Sequence, residues 1–401
     1  MTPEEFRTRT RFNRREILDF SEGRLIEGNS SGPRLPRSLL LPFHEVAEIR
    51  WDPAAGSGRI AAVRRNQIDD WFYACHFLGD AVMPGCWGVD ALWQCLRFFA
   101  AWRGIADCDK ELGMGGVSFF GQIRPHDRVI RYLVDVLEIE SRDGETLLTG
   151  KGSVSVDETP VYSASSVQIG TAFWQSDGGT APRVESRVSM LENALSYDEF
   201  SSRRHFSQQE VLAISQGTLV ADAPEEFGLL PSSLMLEIGE VHELSYDPVS
   251  GTGRILASRK TGPEDWFYPM NGGAKPTALI VDGVWQLLGL FLAWRRNIGT
   301  GRALGVERVE VFDRVRPGDW KLVYDVSVVK AAQEGSRSGA FVVADARVFA
   351  GGHPILECSG ARVGCQRGIR YSDYPLRSGS AFGGPLKIRN SEDMHESIDR
   401  R

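Results

Sequence analysis

Two stretches of the chain are apolar on nearly every helical face, Gly85–Arg103 and residues 277–296. Such all-round hydrophobicity predicts one long buried helix in each place rather than an amphipathic surface helix. Strand-like runs follow both: 128–138, 146–156 and 161–169 after the first, and 320–330, 340–349 and 354–363 after the second. Ahead of each long helix come a short helical segment, an extended segment and a turn marked by glycine and proline. A single helix set against an antiparallel sheet, twice over, predicts an α+β fold.

The two halves are copies. Phe12-Asn13-Arg14-Arg15-Glu16-Ile17-Leu18 returns as Phe206-Ser207-Gln208-Gln209-Glu210-Val211-Leu212. Gly56-Ser57-Gly58-Arg59-Ile60 returns as Gly251-Thr252-Gly253-Arg254-Ile255, and Asp70-Trp71-Phe72-Tyr73 as Asp265-Trp266-Phe267-Tyr268. Val89-Asp90-Ala91-Leu92-Trp93-Gln94 returns as Val281-Asp282-Gly283-Val284-Trp285-Gln286, and Arg124-Pro125 as Arg316-Pro317. The spacing is 194 or 195 residues before the helix and 192 after it, so the second copy is three residues shorter just ahead of its helix. A period this long indicates two fused domains, not a solenoid. The expected organisation is a first domain at 1–175, a linker at 176–195, a second domain at 196–366 and a tail at 367–401, where the pattern fades.

Composition narrows the class. The chain has 401 residues, 42% hydrophobic and 25% charged, as in ordinary globular proteins, and its net charge of −7 gives no basic footprint for nucleic acid. Its six cysteines (Cys75, Cys86, Cys95, Cys108, Cys358 and Cys365) include no C-x-x-C, so reduced thiols and a cytoplasmic location are expected. Residues 1–15 are polar and lack the apolar core of a secretory signal. The apolar run 278–294 contains Asp282 and Gln286 and reads as a buried helix, not a membrane span.

Candidate chemistry lies on and before the two helices. Asp90 and Asp282 each sit within an apolar helix, where desolvation raises a carboxyl pKa and can make it a general acid; a structural aspartate is the alternative. Just upstream of the first helix, His76 is a candidate general base, and Pro84-Gly85 marks a sharp helix start whose free amides would attract an oxyanion. The glycine clusters at 113–116 and 299–301 complete no phosphate-binding motif and read as turns feeding strands. His44, His126, His205, His242, His353 and His395 have no partners at metal-binding sequence spacing.

The run from Trp71 through Cys75-His76-Phe77-Leu78-Gly79-Asp80-Ala81-Val82-Met83-Pro84-Gly85-Cys86 to Gln94 closely resembles the signature of the 3-hydroxydecanoyl-ACP dehydratase/isomerase (FabA-like) family. The second copy resembles the family at Gly301–Val306 and Val309–Phe312, and Leu35-Pro36 also fits. The resemblance implies a double hot-dog fold, in which each of two tandem domains wraps a curved antiparallel sheet around one long helix. It also implies sites shared between paired domains, with the histidine from one and the aspartate from the other.

The second copy reads Met270-Asn271-Gly272-Gly273-Ala274-Lys275-Pro276-Thr277, so Asn271 stands where His76 does and Thr277 where Gly85 does. Asparagine has no basic nitrogen. The split site carried over from the family therefore predicts one composite site, His76 with Asp282, and a degenerate one, Asp90 with Asn271. A pairing of His76 with Asp90 inside one copy is the alternative. Gly85 would bind the thioester oxygen, the Val82 carbonyl would orient the histidine, and Cys86 would line the same turn. The resemblance implies dehydration of a 3-hydroxyacyl thioester on acyl carrier protein, with trans-2/cis-3 isomerisation as the family's second activity, in fatty acid, polyunsaturated fatty acid or polyketide synthesis. It implies no metal or organic cofactor, and a pseudo-dimer within one chain that could pair further as a homodimer. An acidic carrier would need a local basic patch, for which Arg124, Arg314, Arg316 and Lys321 are candidates, each taken singly reading first as ordinary surface charge. The competing readings are an enoyl-CoA hydratase of the same fold and a non-catalytic acyl-chain-binding scaffold.

Overall fold

A computed structural model describes residues 1–28, 34–105, 107–186, 193–332, 340–369 and 384–385. The first copy contributes α1 (Pro3–Thr8), α2 (Arg14–Ser21), β1 (Glu45–Asp52), β2 (Ser57–Arg65), α3 (Gly85–Arg103), β3 (Lys110–Phe119), β4 (Gly121–Gln122), β5 (Val129–Arg142), β6 (Glu145–Val156) and β7 (Thr159–Gly170). The second contributes α4 (Tyr197–Ser202), α5 (Gln208–Ser215), β8 (Glu240–Asp247), β9 (Thr252–Lys260), α6 (Thr277–Trp294), β10 (Thr300–Val311), β11 (Lys321–Ala332), β12 (Ala340–Ala350) and β13 (His353–Gln366). A last short strand, β14 (Gly384–Pro385), pairs with β4.

The repeated Phe-x-x-x-Glu segments are helix starts. Asn13 and Ser207 cap α2 and α5, and Glu16 and Glu210 reach back to the cap amide, closing a capping box in both copies. Twelve strands form one antiparallel sheet in the order β1-β2-β5-β6-β7-β3-β10-β13-β12-β11-β9-β8. Each half is a six-stranded hot dog around its own helix. Helix α3 packs on β2, β5, β6 and β7, α6 packs on β10 to β13, and the two helices touch each other. The window Thr277–Trp294 has a mean hydropathy of 1.6 and is 89% buried, so the curved sheet encloses the most apolar segment of the chain. This is the double hot-dog fold that the repeat and the resemblance imply.

The halves join along β3 and β10. Gly305 pairs with Ser118 and Glu310 with Gly113, a register symmetric under the 192-residue repeat. The indole N–H groups of Trp93 and Trp285 donate to the carbonyls of Gly113 (3.0 Å) and Gly305 (3.3 Å), tying each helix to this seam.

The glycine cluster at 113–116 therefore lies inside a strand rather than in a turn, and Gly301 opens another. The reason is close backbone approach: a Cβ at Gly113 would meet the Val309 carbonyl oxygen at 2.5 Å, and one at Gly305, whose φ is +145°, would meet that of Val117 at 2.0 Å. Gly305→Ala is accordingly expected to destabilise the protein by about 2–3 kcal/mol, read as a shift in the urea midpoint at unchanged m-value.

Through residue 186 the segment connecting the copies runs beside the second, where the Ala181 amide donates to the Gly352 carbonyl at 3.2 Å. The rest of the expected linker, 187–192, and most of the tail lie outside the described residues.

Candidate active site

A short 3-10 turn at Trp71–Ala74 delivers His76 to a buried loop. The His76 amide donates to the Phe72 carbonyl (2.8 Å), and the Val82 amide closes the loop on the His76 carbonyl (2.9 Å). On the ring, Nδ1 lies 3.0 Å from the Val82 carbonyl oxygen. A carbonyl can only accept, so in the neutral ring Nδ1 carries the proton and Nε2 keeps its lone pair. Burial pushes the imidazole pKa down to about 4; the Val82 carbonyl opposes the shift and the Arg302 charge adds to it. His76 is thus neutral at pH 7, as a general base must be.

The other copy braces this loop. Asp80 is buried between two guanidiniums, Arg124 at 3.0 Å and Arg302 from β10. The Gln122 side-chain oxygen accepts from both arginines, at 2.8 Å and 3.0 Å. The Ser232 amide from the second copy also donates to the Cys75 carbonyl at 2.8 Å.

Asp282 faces the same space from α6. His76, Val82, Gly85, Asp282, Gln286 and Arg302 line one cavity of about 80 Å³, whose other walls include Phe119, Tyr162, Trp285, Gly289 and Ala303. Burial raises the Asp282 pKa to about 6, against hydrogen bonds from Gln286 and Cys86 that lower it. Gln286 Nε2 donates to Asp282 Oδ2 (2.7 Å) and to the Met235 carbonyl (2.7 Å), while its oxygen accepts from the Glu237 amide (2.9 Å). The carboxyl is held in one orientation. Cys86 is fully buried with its thiol pKa pushed far up, which suits a hydrogen-bonding neighbour of Asp282 and not a nucleophile. Gly85 is the first residue of α3, where amides lack an intrahelical acceptor, and a Cβ there would crowd the Phe119 ring at 3.1 Å.

The related place in the other half is differently built. Asn271 lines a larger cavity, about 480 Å³, and its amide is turned onto the Ala274 carbonyl at 3.1 Å. Asp90 is not among the residues lining either cavity; burial and Glu111 raise its pKa to about 7, opposed by Arg97 and by Gln94 at 3.4 Å. At the repeat positions of Gly289, Ala303 and Gln122 the chain carries Arg97, Glu111 and Arg314. Arg97 and Glu111 form a buried ion pair, Arg314 bonds Asp109 at 3.1 Å, and the Thr277 hydroxyl donates to Glu111 at 3.5 Å. Charges thus fill the ground that small and neutral residues leave open beside His76.

Sequence reasoning missed Arg302, Gln122, Gln286 and the Arg97–Glu111 pair. Comparing the copies position by position would have exposed the glycine-to-arginine and alanine-to-glutamate differences. Two proposed docking cations are corrected. Arg124 is 3% exposed and belongs to the Asp80 brace, and Arg314 is held by Asp109 and Glu111. Arg316 stays exposed beside Asp313, and Lys321 is half-buried.

A family model described as the FabA-like domain matches the chain twice, over residues 35–165 and 230–359. Solved structures similar to it include the dehydratase domain from the CurJ module of curacin polyketide synthase, at 11% identity and a TM-score of 0.46, covering 81% of this chain and 97% of that one. The dehydratase domain from the CurK module matches at 8% identity and a TM-score of 0.45, covering 80% and 96%. A monomeric dehydratase domain from a trans AT polyketide synthase split module matches at 14% and 0.44, covering 77% and 99%.

Proposed function

This chain belongs to the FabA-like domain family, carrying two copies of its domain, and from that premise we propose that it dehydrates a 3-hydroxyacyl thioester at one composite site between the copies. The observation that carries the reading is the meeting of a neutral His76 from the first copy with a buried Asp282 from the second in one cavity, while Asp90 does not line the described cavity that Asn271 lines. In the proposed reaction His76 Nε2 removes the α-proton. The Gly85 amide and the α3 terminus bear the charge that develops on the thioester oxygen. Asp282, protonated, hands its proton to the departing hydroxyl. The Cα–H and Cβ–O bonds break, the Cα=Cβ bond forms, and water leaves. His76 returns its proton to solvent and Asp282 is reprotonated. The His76 ring could also carry a proton between the γ- and α-carbons, giving a cis-3 product. The carrier proposed is acyl carrier protein. The scaffold reading is disfavoured by the acid and base meeting in one place.

Absorbance of the enoyl thioester formed from 3-hydroxydecanoyl thioesters tests the proposal; no turnover on carrier-bound and CoA substrates alike would overturn it. The pH dependence follows from the two groups. The base must be unprotonated, so kcat/KM is lost as pH falls through about 4. The acid must be protonated, so it is lost as pH rises through about 6. A pH–rate series should therefore show a decline beginning near pH 6, and a flat profile from pH 5 to 8 would remove Asp282 from the role of acid.

A further inference from the structure

On the far edge of the second hot dog, away from the cavity that holds His76, three ligand-type side chains converge. His205 precedes α5, and Glu240 and His242 belong to the edge strand β8. His205 Nε2 lies 3.0 Å from Glu240 Oε1, His242 Nδ1 lies 3.8 Å from the same oxygen, and the three ligand atoms all fall within 4.8 Å of one another.

The backbone holds them there. Phe206 and Val241 exchange two amide–carbonyl bonds of 2.9 Å, which sets His205 beside β8. The pairing of β8 with β9 shifts register between Val241 and Glu243, so His242 is the extra residue of a bulge, a device that re-aims a side chain. His242 Nε2 meets the Ser258 hydroxyl at 2.7 Å, which fixes the ring, while its buried Nδ1 faces Glu240 Oε1 at 3.8 Å.

We propose that His205, Glu240 and His242 bind one divalent transition-metal ion of the zinc class. Two imidazoles and a carboxylate suit that class, and three protein donors leave one coordination position for water. The Ser258 contact is the outer partner that a ligating histidine uses to fix its tautomer. Lys321 and the Glu185 backbone also face His242, and the lysine's charge opposes the ion. The first copy carries Arg11, Glu45 and Ala47 at the matching positions, with Glu45 beside Arg65 at 3.4 Å, so the site belongs to the second copy alone. The ion would clamp the start of the second domain onto a strand that lies at the edge of the sheet among the described residues.

The test uses the full-length protein stripped of metal. Titration with Zn²⁺ against a chromophoric chelator should show one tight equivalent, and Co²⁺ should give visible d–d absorption at the same stoichiometry. His205→Gln and His242→Gln should each weaken Zn²⁺ at least about 10–100-fold and abolish the Co²⁺ bands, whereas His76→Gln should change neither. Absence of a stoichiometric equivalent in the wild type would overturn the proposal, as would a Co²⁺ spectrum that survives His205→Gln. His205 lies in the loop before a helix, so that variant stays informative if His242→Gln disturbs the bulge.

Discussion

Asp282→Asn is expected to slow enoyl-thioester formation by about 10³-fold, and His76→Ala by a similar factor, while Asp90→Asn leaves turnover near the wild-type rate. Asparagine keeps the shape of Asp282 and its contact with Gln286, but has no proton of suitable acidity to give a leaving hydroxyl. Asp90 already exchanges between charged and neutral forms near pH 7 and lines no space shared with His76, so a neutral amide there changes little. On the proposed reading acid and base work on one substrate, so the His76→Ala, Asp282→Asn double variant should be scarcely slower than either single one. Initial rates from absorbance and a circular-dichroism spectrum of each variant supply the check. A dead Asp90→Asn with an active Asp282→Asn would place the acid within the first copy and sink the composite site.

The second large effect concerns stability. Lys275 Nζ is fully buried and sits 2.9 Å and 2.8 Å from the two oxygens of Glu237, itself fully buried, with Arg259 at 3.7 Å from the same carboxylate. Burial lowers the Lys275 pKa to about 8, and the Glu237 charge resists that fall. Removing the carboxylate strands the buried Lys275 ammonium and leaves Arg259 to Asp265 at 3.6 Å, so Glu237→Ala is expected to cost about 3–5 kcal/mol. Lys275→Met should cost clearly less, because Arg259 still answers Glu237 and the methionine can pack against the Phe267 ring that now faces the ammonium at 4.2 Å. Urea midpoints at pH 7 decide it; equal losses for the two variants would mean that Arg259 contributes nothing.

Much of this arrangement was legible in the chain. The apolar stretch at Gly85–Arg103 is a helix with those bounds, and the second ends at Trp294, two residues before the limit read from its composition, because Arg295 and Arg296 turn out toward Tyr246 and Tyr197. The repeat showed that the second copy lacks a histidine at Asn271, while the pairing of His76 with Asp282 came only from what the family resemblance implies. Other features resisted reading. A glycine needed for close approach of two backbones looks, in sequence, like a glycine in a turn, so the cluster at 113–116 reads as a turn feeding a strand when it lies inside the seam strand β3. Arg124 looked like a surface cation because the residue that most deeply buries its charge, Asp80, lies 44 positions away and shares it with Arg302. The His205–Glu240–His242 group escaped for the same reason, its members being brought together by a bulge and a two-bond bridge that leave no periodic trace.

The charges beside Asn271 bear on how this protein can change over time. The two copies share one domain pattern, and on the proposed reading chemistry belongs to the cavity beside the small and neutral Gly289, Ala303 and Gln122. Returning it to the other cavity would take more than a histidine at position 271. Arg97 and Glu111 would both have to leave, and losing either one first breaks a buried ion pair at about 3–5 kcal/mol, a large part of the stability of an ordinary domain. Each intermediate on the way back would carry that loss of stability. On the proposed reading, single-site operation is therefore reinforced by the scaffold's own stability, as a ratchet, and would persist even if a second site became useful.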